Sequence, residues 1–140
     1  MWLIFMLFTL YPSSPLLDAI KEQESGGRWL ARNGSHIGAY QVSRRVTKAP
    51  WPLLFLEPIG RLEASRIMGR WRRAAGGDTM LALEGYRHGY VGAHGKTNGL
   101  YAKCVIARVL LAQEGRRLPA CKEEHIVYST ERLLMAARRL

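Results

Sequence analysis

The sequence predicts one mainly helical domain, on three observations. Beyond Pro15 the apolar residues recur mostly at helical spacing, as in helices that bury one face. No run of alternating apolar and polar residues marks a sheet, and no repeat or low-complexity tract divides the chain. At 140 residues the chain can bury a real core but is short for two ordinary domains. Apolar residues supply 48% and charged residues 23%, close to globular averages, so disorder is not expected.

The N-terminal segment, residues 1–14, begins with the apolar run MWLIFMLFTL. It is shorter than the roughly 20 residues of a membrane span and resembles the apolar region of a signal peptide. No Lys or Arg precedes it and no small-x-small cleavage site follows it, which leaves open a first helix or strand packed on the domain. The domain proper is expected over 15–140, without an integral membrane span.

The first helix is predicted from Leu16 to about Ser25, stopped by Gly26 and Gly27. A polar loop follows from Arg28 to Ile37, then a short helix over Ala39 to Val46, closed by Pro50 and Pro52. Apolar Ile59, Leu62, Ile67 and Trp71 define a helix over about Pro58 to Ala75. Its last turns carry Arg70, Arg72 and Arg73 at the negative end of the helix dipole. Asp78 reads as the N-cap of a helix to about Arg87, and Gly89, Gly92 and Gly95 as a long flexible loop. A helix from Asn98 through Glu114 and a basic amphipathic helix over Glu123 to Arg139 complete the chain.

Lys and Arg number 21 against 11 Asp and Glu, a formal charge of +10, which points to a polyanionic partner such as nucleic acid or a bacterial envelope. Cys104 and Cys121 fit neither a zinc pattern nor a redox pair, and no HExxH segment occurs, so no metal site and no cofactor are predicted. The two thiols could bridge in an oxidising compartment, but they read slightly more readily as two buried free cysteines.

At about 100° per residue, Leu17, Ile20 and Glu24 share one narrow stripe of the first helix, while Glu22 points the other way. Glu24 thus sits on the apolar face, in the last turn, where the unpaired carbonyls are negative. Burial and that negative end both disfavour the carboxylate and raise its pKa, as a general acid working near neutrality requires. Such a Glu, taken alone, is more often a satisfied structural carboxylate. Its surroundings change the weighting.

Glu24-Ser25-Gly26-Gly27, followed by Ser35 and by Gly38-Ala39-Tyr40-Gln41, resembles the catalytic Glu-Ser pair, Ser and Gly-x-x-Gln stretch of the soluble-lytic-transglycosylase, goose-type lysozyme-like family. The segment ALEGYRHG over Ala82 to Gly89 resembles the family's Ala-x-x-Tyr-Asn-Ala-Gly. NGLYAKCV over Asn98 to Val105 resembles its closing Tyr-Val-x-x-Val helix. The four segments occur in the family's order and cover most of the chain. The resemblance implies a lysozyme-like helical domain that cleaves the MurNAc-GlcNAc β-1,4 bond of peptidoglycan glycan strands and closes a 1,6-anhydro ring, with Glu24 as catalytic acid and base.

It further implies that Tyr101 hydrogen-bonds and orients Glu24, that Ser35 and Gln41 contact acetamido or peptide groups, and that Tyr40 and Tyr86 offer flat faces to sugar rings. Arg87 stands where the family commonly has Asn, and His88 replaces a small residue. Since a cation beside Glu24 would oppose its acid role, Arg87 is expected to point away from it or to bind a substrate carboxylate. His36 and His94 have no partner arrangement and are assigned no chemistry. The implied location is periplasmic, extracellular or virion-associated, with envelope, phage or secretion machinery as partners. The alternatives are a goose-type muramidase hydrolysing the same bond, a wall-binding domain without turnover and a basic nucleic-acid-binding protein. The last accounts for the charge but not for the context of Glu24, and no helix-turn-helix or aromatic RNA motif supports it.

Overall fold

The computed structural model of the protein describes residues 14–140, so the expectation for the N-terminal apolar segment lies, apart from Ser14, outside the described residues. The first helix, α1, spans Pro15–Ser25. The Ser14 side chain accepts from the Leu17 N–H at 3.2 Å, and Pro15 at the first position has no N–H to leave unpaired. The helix ends at Gly26, left-handed at φ 64°, whose N–H returns to the Glu22 carbonyl.

Three two-residue strands follow: β1 (Arg32–Asn33), β2 (His36–Ile37) and β3 (Val42–Ser43). They form an antiparallel sheet in sequence order, pairing Arg32 with Ile37 and Ile37 with Val42. A 3-10 turn at Trp51–Phe55 leads into α2 (Glu57–Ala74), then α3 (Thr79–His88), the single turn α4 (Tyr90–Ala93) and α5 (Leu100–Gln113). A second 3-10 turn at Glu123–His125 precedes α6 (Thr130–Arg138). The protein is mainly helical, as the sequence predicts.

The centre is α5. Ala102, Val105, Ile106, Ala107 and Val109 are all at most 2% exposed, so this helix is enclosed rather than laid on a surface, and α1, α3 and α6 pack around it. Its N-terminus holds a buried carboxylate. Glu84 of α3 accepts from the Ala102 N–H at 3.0 Å and the Thr97 hydroxyl at 2.7 Å, which places negative charge at the helix's positive end.

Four expectations are corrected. Residues 39–46 form turns and β3, not a helix, and the loop before them contains β1 and β2. Gly38 at φ 77° explains why: a Cβ there would stand 2.2 Å from the Leu54 carbonyl oxygen, so only glycine admits this approach. Pro50 and Pro52 flank the start of a 3-10 turn instead of ending a helix. The stretch expected as a flexible loop contains α4, with Gly92 pressed on α3 so closely that a Cβ would meet the Glu84 carbonyl oxygen at 2.1 Å. The C-terminal helix begins at Thr130, capped by the Ser129 side chain, rather than at Glu123.

The cysteines also depart from the expectation of free thiols. Cys104 of α5 is bonded to Cys121 with Cα atoms 5.8 Å apart, because the chain after α5 doubles back along the helix. Leu118 is buried there, and its carbonyl accepts from the Arg108 guanidinium. The cross-link closes a loop of separation 17. The Cys104→Ser/Cys121→Ser protein should lose about 2–4 kcal/mol of unfolding free energy, measured by denaturant titration against the oxidised protein.

Candidate active site

The last turn of α1 carries Glu24 toward the N-terminal turn of α5. The Tyr101 hydroxyl donates to Glu24 Oε1 at 2.8 Å, as expected. One side of α5 makes both ties to this turn, since Tyr101 and Arg108 lie seven residues apart and so nearly superimpose around the helix. Arg108 Nε donates to the Gln23 side-chain oxygen at 2.8 Å. The Glu24 side chain is only 6% exposed.

Burial pushes the Glu24 carboxyl above the usual carboxylate range. The Tyr101 hydrogen bond and the Arg87 charge pull the other way without cancelling it. Position at the negative end of α1 acts in the same direction as burial. The Tyr101 hydroxyl is itself held well above its ordinary pKa by burial and then by the charge of Glu24, so it remains a donor. The pair can therefore keep and orient a proton.

Of the two orientations expected for Arg87, the first does not hold. Its guanidinium does not point away: Nη1 lies 3.6 Å from Glu24 Oε2. The reason is local, because Arg87 falls in the last turn of α3 next to Tyr86, whose hydroxyl is anchored on the Tyr40 carbonyl at 2.8 Å.

Glu24 opens on a cleft of about 480 Å3, lined also by Arg28, Leu30, Arg32, Asn33 and Gln41. The segment 38–41 fixes its wall. The Ser25 hydroxyl donates to the Ala39 carbonyl at 2.7 Å, and the Gly38 N–H donates to the Ala31 carbonyl at 2.8 Å. Gln41 stands at φ 48°, a left-handed geometry that costs a non-glycine residue about 1 kcal/mol. Its backbone N–H and its side-chain Nε2 both donate to the Gly38 carbonyl.

The other proposed contacts divide. Gln41 lines the cleft. Ser35 does not: it lies in the β1–β2 turn, where its carbonyl accepts from the Arg44 N–H. Tyr40 offers no flat face to a sugar, being 1% exposed. Its ring packs into the space left by Gly60, and its hydroxyl donates to Glu57 Oε1 at 2.6 Å and accepts from Arg61 at 3.0 Å. Tyr86 is partly exposed but does not line the cleft either, and its hydroxyl is spent on Tyr40.

Sequence reasoning missed Arg28, Leu30, Arg32 and Asn33, which it treated as plain loop. Their signal was adjacency, as they directly follow the last turn carrying Glu24. Trp29, between two of them, is 58% exposed, and Arg44 lies over the Trp51 ring at 4.7 Å.

A second groove, of about 400 Å3, runs between α1 and the end of α5, lined by Ala19, Val109, Ala112 and Leu118 with Glu22 and Arg117. Those two charges pair with each other. Among the described residues no group of three or more His, Cys, Asp or Glu could hold a metal ion, and no helix there is long and apolar enough to cross a membrane. Comparison with protein families, with characterised proteins and with solved structures yields no match.

The raised pKa of Glu24 has a stability consequence. The folded state holds this proton more tightly than the unfolded state, so its contribution to stability is present below the ordinary carboxylate range and is lost as pH rises through the raised value. Glu24→Gln should therefore raise the unfolding temperature relative to wild type at pH 8, with the difference shrinking toward zero near pH 4. Paired thermal melts across that range check the sign.

Proposed function

We propose that the protein is a peptidoglycan lytic transglycosylase of lysozyme-like type, cleaving the MurNAc-GlcNAc β-1,4 bond. The observation that carries this reading is the Glu24 carboxyl, buried, held by the Tyr101 hydroxyl and opening on a cleft. The order of the Glu-Ser, Gly-x-x-Gln and two tyrosine-bearing segments along the sequence supports it.

Glu24 in its acid form gives its proton to the glycosidic oxygen as the bond to C1 of the muramic ring breaks, and positive charge develops on that ring. The resulting carboxylate then takes the proton of the C6 hydroxyl of the same sugar. The freed oxygen bonds to C1 and leaves a 1,6-anhydro end, with the Glu24 proton restored and no water consumed. One carboxyl group suffices for both steps. The other acids of this region are committed elsewhere: Glu84 to the start of α5, Asp78 to the Leu81 N–H, Asp18 to Arg61 and Glu22 to Arg117.

Asn33 supplies an amide group and Gln41 its side-chain oxygen for the acetamido arms of the strand, and the exposed indole of Trp29 supplies a flat face beside the cleft. The site of action on this reading is the cell envelope, reached by export or from a virion. The Cys104–Cys121 bridge suits such a compartment, and the +10 charge suits a wall rich in carboxylates and phosphates.

Mass spectrometry of muropeptides released from purified sacculi tests the reading. Wild type should release anhydro-ended products, and folded Glu24→Gln should be slower by about a hundred- to ten-thousand-fold. Reducing ends in their place would show a muramidase. Salt-sensitive DNA binding with no release would leave a basic nucleic-acid-binding protein. Tyr101→Phe removes the bond that favours the charged form of Glu24, so the alkaline limb of its pH-rate profile should move to higher pH.

A further inference from the structure

Three arginines come near the candidate acid, and they are held very differently. Arg28 Nε is tied to the Ser25 carbonyl at 2.9 Å. Arg32 lies over the Trp51 ring, 5.7 Å from its centre. Arg87 makes no hydrogen bond to the described residues, and its side chain is 48% exposed while its Glu24 partner is 6% exposed. At 3.6 Å the pair is a charge contact longer than a good hydrogen bond. A long, half-exposed side chain held this way is free to exchange one carboxylate for another at little cost.

Among the described residues, Arg87 is the one charge in ion-pair contact with Glu24. From α5 comes the Tyr101 hydroxyl, and from α3 the Tyr86 hydroxyl and Arg87. From the cleft wall come Arg28, Arg32 and Gln41. Both tyrosines are kept neutral, their hydroxyls pushed up first by burial and then by the charge of Glu24. Removing the Arg87 charge would leave burial less opposed.

Resting on the reading of Glu24 as proton donor, we propose that Arg87 is a substrate-operated latch: at rest its guanidinium sits against the Glu24 carboxyl, and a free carboxylate on the bound strand draws it away. The substrate class follows. The protein acts on glycan whose peptide stems carry free carboxylates near the cleavage point, and amidated strands are processed slowly because nothing in them displaces Arg87. Arg87 is a positioning residue here, acting through Glu24, and the mobile arginine doubles as the recognition element for the stem. An Asn at this position could do neither, having no charge.

The test compares wild type, Arg87→Gln and Arg87→Lys by two readouts. The first is the cleavage rate on sacculi with free stem carboxylates against the same sacculi amidated by carbodiimide coupling. Wild type should favour the free form by up to about fivefold, the rate equivalent of one half-exposed ion pair. Arg87→Gln should cleave both within about twofold of each other, and Arg87→Lys should recover part of the preference. The second is the titration midpoint of the Glu24 carboxyl by 13C NMR, with and without a disaccharide-peptide monomer that contains no cleavable MurNAc-GlcNAc bond. The monomer should raise the midpoint in wild type and leave it unmoved in Arg87→Gln. A preference retained in Arg87→Gln, or a midpoint that ignores the monomer in wild type, overturns the latch even if cleavage is robust. A midpoint that responds through Arg87 in a protein that cuts no sacculi keeps the latch and removes the transglycosylase reading.

Discussion

The hydrogen bond from Tyr101 to Glu24 is the contact on which the rest of the arrangement depends. It joins the C-terminal turn of α1 to the N-terminal turn of the enclosed helix α5, so the carboxyl is held where burial can act on it. An acid left on the surface at the end of α1 would be solvated, whereas its neighbour Glu22 pairs with Arg117. Moving it under α5 changes its chemistry without changing the residue. The arrangement needs a donor that stays neutral, because a second charge would either lock the anion or repel it. A buried phenol meets that need.

The wall opposite this contact is held by a different means. Segment 38–41 has almost no regular structure, yet it is anchored from three helices: Ser25 of α1 bonds Ala39, Glu57 and Arg61 of α2 hold the Tyr40 hydroxyl, and Tyr86 of α3 holds the Tyr40 carbonyl. Tyr40 thus serves as a peg that pins the cleft wall to the helical body. The strained geometry of Gln41 is sustained by these surroundings, and its side chain closes the turn instead of reaching freely outward.

The four longest helices, α1, α2, α3 and α5, were legible in the sequence because their apolar periodicity is local. Gly26 and Asp78 act where their chemistry places them. Glu24 was legible for the same reason: its face and its turn follow from the helical period alone. The stretch from 28 to 46 was not, since two-residue strands are too short to show a period and the backbone of Gly38 answers to Leu54, which local sequence does not reveal. The flat sugar-facing role of Tyr40 was implied by the resemblance alone, and only the hollow at Gly60 turns its ring inward. The partner of Arg87 was invisible because the register of α3 against α1 is a matter of packing. Composition left the cysteines undecided, and the return of the chain along α5 decided them.

Glu24 and Tyr101 stand 77 residues apart in the chain, and that separation has a consequence for how the protein comes to be armed. A polypeptide still emerging from the ribosome, with α1 released and α5 not yet made, carries a carboxylate indistinguishable from any other. No partial fold lacking α5 can shelter the proton. On the proposed reading, competence therefore arrives only with the completion of the central helix, and a copy that stops before it has no Tyr101 to hold the acid.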